Sequence, residues 1–375
     1  MKTVFAYGFS LFLATIILVV FISGFFPAKY FFPYRDVLLG YSSASWSAFG
    51  NFDGVHYIKI ARDGYDNFQQ AFFPLYPLLI RLVAPFFGGN YLTAGLFISW
   101  ISFFSGIWVW FQVGKTLGFA DVKVKKTLLL WMFFPTAYYF FCLYTESLFF
   151  CLLGFSVYFL LQKKVWQLFI VSFFLSLTRV VGLFFPVVVF FDPDLSLRKK
   201  IFASLGSFLG IGIFCLYLFK TTGDPFYFIT AQKAFNSRQV DSWVFLPQVY
   251  YRYFKIFVTA DFSFAYFIAV LEFLFFSFAF LILIIYGFKK DLFYFYKKFS
   301  IEKGLFFYSL IVLLLPTLTG SFYSLPRFVL LIPSVMIYQA DLLSKKFYLY
   351  NLISVLYLVL YSVLLIAFAN GYFVA

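Results

Sequence analysis

The chain has 375 residues, of which 63% are hydrophobic and only 12% are charged. Its mean hydropathy is +0.93. These values exclude a soluble protein, because no soluble core can bury so much apolar surface, and they predict an integral membrane protein. In a membrane protein, the basic residues behind the formal charge of +14 indicate first which loops lie on the cytoplasmic side. The charge does not by itself indicate nucleic-acid binding.

Apolar segments predict an all-α, polytopic transmembrane helical bundle formed by residues 1–375 as a single integral domain. A span needs roughly 20 apolar residues, and about nine segments approach that length. The first follows Lys2 and lacks a small-residue cleavage site, so it is expected to be a retained span and not a signal peptide. The predicted spans are 4–25, 92–113, 127–143, 147–162, 201–219, 262–287, 305–320, 327–343 and 348–369.

Clustered basic residues set the predicted orientation, since Lys and Arg concentrate on the cytoplasmic side of membrane proteins. Placing the clusters inside leaves two outer segments, 26–91 and 220–261, and a short outer turn at 321–327, with the C-terminus outside. The cytoplasmic basic residues are Lys2, Lys115, Lys123, Lys125, Lys126, Lys163, Lys164, Arg198, Lys199, Lys200, Lys289, Lys290, Lys297, Lys298, Lys303, Lys345 and Lys346.

Two apolar segments do not fit as ordinary crossings. The segment 72–87 contains Pro74, Pro77 and Pro85, so we expect an interrupted re-entrant or interfacial helix on the outer side. The segment 165–191 has basic clusters at both ends but is too short for two full spans. It is predicted to be a pair of short helices that turn near 178–182, where irregular backbone must be buried or line a cavity.

The first outer segment contains the best candidate for chemistry. On a helix, Asp53, His56, Tyr57 and Ile60 share one face, so the carboxylate and the chain's only imidazole point into the same space. A carboxylate at the apolar boundary suits the removal of a proton from a hydroxyl group. An interfacial helix with a capping Asp and a surface His is the alternative interpretation, because the spacing alone is a weak pattern.

Charged residues elsewhere near the predicted spans add candidates. Glu146 is predicted to lie at a tight outer turn, and Arg179 lies within an apolar segment, where an ionisable residue is costly and often functional. Arg327 begins a span from the outer side, where its guanidinium could hold a phosphate. A helix cap, a structural arginine and an interface anchor are the corresponding structural alternatives.

Six short motifs in this order resemble the PIG-V family, the second mannosyltransferase of GPI-anchor synthesis and its prokaryotic relatives. Together they cover most of the chain from about residue 50 to 335. The motifs are Phe52-Asp53-Gly54-Val55-His56-Tyr57 with Gly64-Tyr65, Phe72-Phe73-Pro74-x-x-Pro77, Tyr144-Thr145-Glu146-Ser147-Leu148-Phe149, Thr178-Arg179-x-x-Gly182, Gly223-Asp224-Pro225 with Ala231-Gln232, and Ser324-x-x-Arg327-Phe328.

The resemblance implies a GT-C-like fold and sugar transfer, of mannosyltransferase type, from a polyprenyl or dolichyl phosphate-sugar to a lipid-linked or extracytoplasmic acceptor, with inversion. Asp53 would be the general base and His56 would orient it or contact the acceptor. Arg327 and Arg179 would bind the donor phosphate. The substrate-binding residues would be Tyr57, Glu146, Asp224 and Gln232.

No cofactor is expected, although a divalent ion held by Asp53, His56 and Glu146 is an alternative that no spacing supports. The three cysteines show no metal-ligand spacing. The expected location is the plasma membrane of a prokaryote with the site facing outside, or the endoplasmic reticulum membrane in a eukaryote. No nucleic acid is expected as a partner.

Three departures from the family pattern are present. Phe52 stands where the family has Trp, Val180 and Val181 stand where it has Ser and Asn, and Phe235 is the aromatic residue after Ala-Gln. The second departure removes polar groups near the expected donor, so the sugar is the property it affects most.

Two other functions compete with sugar transfer. A transporter or lipid flippase would place polar residues at the middle of several spans, yet apart from Arg179 and Glu272 the predicted spans carry almost none. A structural subunit of another membrane enzyme would need no site at all. The predicted outer acids are instead concentrated in the loops: Asp36, Asp53, Asp63, Asp66, Glu146, Asp224, Asp241 and Asp261.

Overall fold

A computed structural model describes residues 1–29, 35–41, 44–235, 243–293, 299–344 and 346–374. Within these ranges all regular structure is helical and no strand forms, which confirms the predicted all-α bundle. Some residues that entered the topology prediction lie outside the described ranges: Asp241, Lys297, Lys298 and Lys345, and the parts 30–34, 42–43 and 236–242 of the two outer segments.

The α-helices are numbered here in chain order. The first nine are α1 (Lys2–Ile17), α2 (Arg35–Leu39), α3 (Ala44–Ser47), α4 (Asp53–Asp63), α5 (Leu75–Val83), α6 (Tyr91–Thr116), α7 (Asp121–Phe133), α8 (Glu146–Leu161) and α9 (Val165–Thr178). The others are α10 (Pro186–Phe190), α11 (Leu197–Thr222), α12 (Tyr227–Thr230), α13 (Leu246–Thr259), α14 (Phe264–Lys289), α15 (Ile301–Leu314), α16 (Leu325–Val329), α17 (Pro333–Leu343) and α18 (Phe347–Ala369).

Six helical segments of the described chain are long and apolar enough to cross a bilayer. They contain 19 to 26 residues, close to the roughly 20 that the hydrocarbon layer requires. The protein is therefore an integral membrane protein. The six segments are Lys2–Phe25, Tyr91–Thr116, Leu197–Thr222, Phe264–Lys289, Ile301–Thr319 and Phe347–Ala369.

Prolines divide two segments that hydropathy predicts as continuous spans. In 127–143, α7 ends where Phe134 takes an extended conformation before Pro135, and in 327–343 Ile332 leaves the helical region before Pro333. A residue that precedes proline is sterically driven from the helical region. The remaining segment, predicted at 147–162, is α8, which has only 16 residues.

The stretch between α7 and α8, residues 134–145, is buried along its whole length. Only the 3₁₀ turn Ala137–Phe140 within it is regular. Non-helical backbone inside a membrane protein must be buried in protein or line a cavity, because lipid offers no hydrogen bonds. Glu146, which follows this stretch, thus begins α8 in the protein interior, after a long buried stretch and not after the predicted tight turn.

The predicted pair of short helices at 165–191 is confirmed. Helix α9 ends at Thr178, Arg179 is extended (φ −155°, ψ 147°), and a 3₁₀ turn over Val180–Phe184 leads into α10. Lys163 precedes this hairpin and Asp192 follows it, and their side chains form an ion pair at 2.6 Å. The two ends of the hairpin therefore lie at the same level of the bundle.

Two further helices lie beside the hairpin formed by α9 and α10. They are the short helix α5 and the long helix α11. Helix α5 begins after Pro74 and is followed by a 3₁₀ turn that contains Pro85, so the segment 72–87 holds a short helix, as its prolines predicted. Helix α11 packs closely along α9, since a Cβ at Gly210 would lie 2.2 Å from Ser176 Oγ. Small residues permit this close approach of membrane helices.

Candidate functional site

Four charged side chains that are distant in sequence meet at one place in the fold. Asp53 and Glu146 are the first residues of α4 and α8, where the positive end of the helix dipole favours a carboxylate. Arg179 lies in the break after α9, and Arg327 lies in the short helix α16. We call these four residues the ion cluster.

Arg327 binds both carboxylates of the ion cluster. Its Nε and Nη2 atoms donate to Glu146 Oε1 at 3.0 and 2.8 Å, and its Nη1 atom donates to Asp53 Oδ2 at 2.8 Å. The Asp53 side chain is 28% exposed, whereas that of Glu146 is 0% exposed. Asp53 is thus on the open side of the cluster, and Glu146 is behind the guanidinium.

Arg179 joins the same carboxylate from the other side. Its Nη1 atom donates to Glu146 Oε1 at 2.8 Å and to Thr145 Oγ1 at 3.0 Å. The turn after Arg179 packs back onto α9, since a Cβ at Gly182 would lie 2.5 Å from Leu175 O. Glycine at this position therefore allows the chain reversal that directs Arg179 into the cluster.

Aromatic rings cover the guanidinium groups. The Arg327 Cζ atom lies 4.6 Å from the ring centre of Tyr139 and 4.7 Å from that of Tyr144. The Arg179 Cζ atom lies 5.0 Å from the ring centre of Phe328. Rings at this distance attract a cation and exclude water from it, so both arginines are held in defined orientations.

The backbone before Asp53 is strained. Phe52 has φ 60° and ψ −113°, a left-handed conformation that residues with a Cβ rarely adopt. The Tyr144 hydroxyl group fixes this turn, because it donates to Asn51 O at 2.7 Å and accepts from the Asp53 N–H at 3.2 Å. Strain of this kind persists where the surroundings over-determine the backbone, and it clusters at functional sites.

Helix α7 and the buried stretch that follows it support the short helix that carries Arg327. Thr136 Oγ1 donates to Pro326 O at 2.9 Å, and the Trp131 indole N–H donates to Leu330 O at 2.9 Å. A helix as short as α16 has few internal hydrogen bonds, so these contacts at its two ends hold it in place.

An open cavity of about 150 Å³ lies against the ion cluster. Asp53, Arg179 and Arg327 line it, and Asp53 is the only acidic residue among the described residues of its wall. Glu146 does not line it. The other polar residues of the wall are Tyr57, Thr145, Thr178, Gln232 and Ser324, and its aromatic members also include Phe72, Phe73, Phe235, Phe328 and Phe373.

His56 lies behind the aromatic wall and does not line the cavity. Its ring stacks on Phe72 at 4.9 Å between ring centres and meets Phe235 edge-on at 5.3 Å. Burial lowers the pKa of the imidazole below its ordinary value of 6.5, against the opposing effect of Asp53. The His56 imidazole is therefore neutral at pH 7. Its ring contacts with Phe72 and Phe235 support the cavity wall more directly than they support Asp53.

The structure brings some of the predicted substrate-binding residues together and separates others. Tyr57 and Gln232 line the cavity, as a binding role requires. Glu146 contacts the arginines and is sealed from the cavity, so it positions other side chains. Asp224 lies off the cavity, and its Oδ1 atom accepts from the Phe226 N–H at 2.8 Å, which stabilises the Gly-Asp-Pro turn.

Apart from Tyr57, sequence reasoning assigned no role to the aromatic residues of the site. Tyr139 and Tyr144 hold Arg327, while Phe72, Phe235 and Phe373 form much of the cavity wall. The chain has 64 Phe and 29 Tyr residues, so no single aromatic position stood out. The only signals were the places of Phe72, Tyr144 and Phe328 in the motifs and the departure noted at Phe235.

No protein family, curated protein or solved structure matched this chain in comparisons with each. The site is therefore interpreted from its own geometry. Among the residues that the structure describes, no three His, Cys, Asp or Glu side chains are grouped so that they could hold a metal ion.

Proposed function

We propose that this protein is a membrane glycosyltransferase, of mannosyltransferase type, that takes sugar from a polyprenyl-phosphate donor. One observation carries the proposal. Asp53, a carboxylate that faces the cavity, pairs with Arg327, and a second arginine, Arg179, faces the same cavity. Transfer assays with a panel of polyprenyl-phosphate sugars and purified protein test it. The proposed location is the plasma membrane of a prokaryote, or the endoplasmic reticulum membrane of a eukaryote.

The two arginines suit a lipid-linked phosphate. Guanidinium groups bind phosphate oxygens through paired N–H donors, and the cavity presents both Arg179 and Arg327 on its wall. A phosphate that leaves with negative charge needs electrostatic stabilisation in the transition state. Glu146 fixes both guanidinium groups in advance, so little reorganisation is required when that charge develops.

Asp53 would act on the acceptor. Its carboxylate removes the proton of the acceptor hydroxyl as that oxygen attacks the anomeric carbon. The bond between this carbon and the phosphate oxygen breaks, and the lipid phosphate leaves with the electron pair. Because Arg327 Nη1 binds Asp53 Oδ2 in the free protein, the donor phosphate would replace Asp53 at that atom and leave the carboxylate facing the acceptor.

A transporter or lipid flippase is the second candidate. Its supporting observation is Arg179, which lies in an extended break between apolar helices, since broken helices form substrate sites in many transporters. The transfer assay separates the two functions, because only an enzyme converts the donor to free polyprenyl phosphate and a glycosylated acceptor. Movement of lipid phosphate across vesicles without such products would favour transport.

The proposed orientation gives a labelling prediction. We expect a cysteine replacing Asn67, which is exposed between α4 and α5, to react with a membrane-impermeant maleimide in intact cells. A cysteine replacing the exposed Lys199 should react only after permeabilisation. The reason is the excess of basic residues on the side assigned to the cytoplasm. The reverse labelling pattern would place the site in the cytoplasm and remove the basis for an extracytoplasmic acceptor.

Substitution of Arg327 tests the donor site. We expect Arg327→Lys to raise the apparent KM for polyprenyl-phosphate mannose about tenfold, since a forked guanidinium becomes a point charge and loses charged hydrogen bonds. Arg327→Ala should raise it further. Arg62→Lys is the matched control, because Arg62 pairs with Asp63 on the exposed end of α4 and lies off the cavity. Equal KM values for the two lysine variants would move the phosphate site away from Arg327.

A further inference from the structure

Glu272 is a buried carboxylate that the proposed reaction does not use. It lies within α14, one of the six helices that could cross a membrane, and it is 3% exposed. An ionisable side chain at such depth is costly and is retained where it has a specific task. Its contacts lead from α14 to the turn that precedes Arg327.

Among the described residues, a neighbouring helix and that turn each donate a hydrogen bond to Glu272. The Tyr253 hydroxyl group, on α13, donates to Glu272 Oε2 at 2.7 Å, and the Ser324 N–H donates to Glu272 Oε1 at 3.2 Å. The same Tyr253 oxygen accepts from the Phe322 N–H at 3.1 Å. Two backbone N–H groups of the turn are therefore bound by one Tyr–Glu pair.

The turn needs this support because its backbone is strained. Ser324 has φ 62° and ψ 5°, in the left-handed region that favours glycine. The Arg327 N–H donates to Ser324 O at 3.1 Å, so the first turn of α16 is built directly on the strained residue. A residue with a Cβ stays in this conformation only where its surroundings fix it.

We propose that Glu272 and Tyr253 are positioning residues, which hold the turn 320–324 so that Arg327 presents its guanidinium to the donor phosphate. Neither residue lines the cavity, so they act through Arg327 and do not touch the substrate. The proposal deepens the proposed function and rests on it for the identity of the ligand. The contact of the pair with the turn is independent of that function.

Two variants and one control test this role. Glu272→Gln keeps the shape of the side chain. Its amide N–H₂ group, however, would face either the Tyr253 hydroxyl group or the Ser324 N–H, both of which donate to Glu272 in the wild type. Tyr253→Phe keeps the ring and removes the oxygen that both donates to Glu272 and accepts from Phe322. Tyr250→Phe is the control, because Tyr250 lies on the same helix and its hydroxyl group bonds to Ser277 on α14 at 3.0 Å.

The readouts are amide hydrogen exchange of the segment 319–329 and the affinity of the full-length protein for polyprenyl monophosphate. In Glu272→Gln and Tyr253→Phe we expect faster exchange in this segment. The affinity for polyprenyl monophosphate should weaken about tenfold, because a displaced Arg327 would lose a charged hydrogen bond to the phosphate. Tyr250→Phe should change neither. A merely structural role would lower thermal stability. Weakened affinity with unchanged thermal stability would therefore identify a positioning role.

The outcomes separate this proposal from the proposed function. If the wild-type protein does not bind polyprenyl monophosphate, the proposed function is wrong, and the exchange data alone decide whether Glu272 and Tyr253 hold the turn. If the wild-type protein binds it and Tyr253→Phe matches Tyr250→Phe in both readouts, the positioning role is refuted. Faster exchange with unchanged affinity also refutes it, because Arg327 would then bind phosphate without the fixed turn.

Discussion

Asp53→Asn is expected to lower the rate of sugar transfer by roughly 10² to 10⁴-fold, the usual contribution of a general base. Asparagine keeps the shape of the side chain and an oxygen that can accept from Arg327, but its amide cannot take a proton at neutral pH. The chain should therefore insert and fold as the wild type does. The measurement is the initial rate with saturating polyprenyl-phosphate mannose, on samples matched for monodispersity in detergent.

Two further variants control for general effects of changing α4. Asp63→Asn changes an acid at the exposed end of the same helix, where it pairs with Arg62, and should leave the rate unaltered. His56→Ala should cost less than Asp53→Asn, since the imidazole packs behind Phe72. A folded Asp53→Asn protein that retains most of its rate would show that Asp53 is not the base. The described cavity wall offers no other carboxylate for that role.

Glu146→Gln is expected to lower the free energy of unfolding by roughly 3–5 kcal/mol, the cost of breaking a buried ion pair from one side. Glu146 is 0% exposed and its Oε1 atom binds both Arg327 and Arg179. The amide leaves two buried guanidinium groups with less negative charge between them. A denaturant titration in detergent micelles measures the loss, and the apparent KM for polyprenyl-phosphate mannose should rise with it.

Glu302→Gln is the control for this prediction. Glu302 lies in the first turn of α15 and is partly exposed, so its loss should change the free energy of unfolding by no more than about 0.5 kcal/mol. Adding Arg179→Met to Glu146→Gln should recover part of the stability, because one uncompensated charge is removed. Equal effects of Glu146→Gln and Glu302→Gln would mean that the ion cluster is not a stabilising unit.

Local sequence signals predicted the elements that depend on nearest neighbours. The hairpin at 165–191 followed from its length, its flanking lysines and the Thr178-Arg179-x-x-Gly182 motif, and α9 does end at Thr178. The shared face of Asp53, His56 and Tyr57 required a helix in this segment, and α4 forms there. Averaged hydropathy failed at Pro135 and Pro333, because the steric restriction before a proline acts on one residue and barely changes a window average.

Some site residues could be named from sequence without their arrangement being known. Glu146 was assigned to substrate and His56 to the reaction, yet Glu146 is behind the arginines and His56 is behind Phe72. Both assignments were reasonable for a polar residue near an apolar boundary. Whether such a side chain faces a cavity or a neighbouring helix depends on partners that are distant in sequence.

The sequence by itself determined that this is an all-α integral membrane protein, because apolar composition and segment length are set residue by residue against the lipid solvent. It also singled out Asp53, Arg179 and Arg327 as candidate site residues. Only the tertiary structure decided that they form one cluster, since Asp53 and Arg327 are 274 positions apart. Their 2.8 Å contact depends on how the bundle packs, which no local pattern encodes.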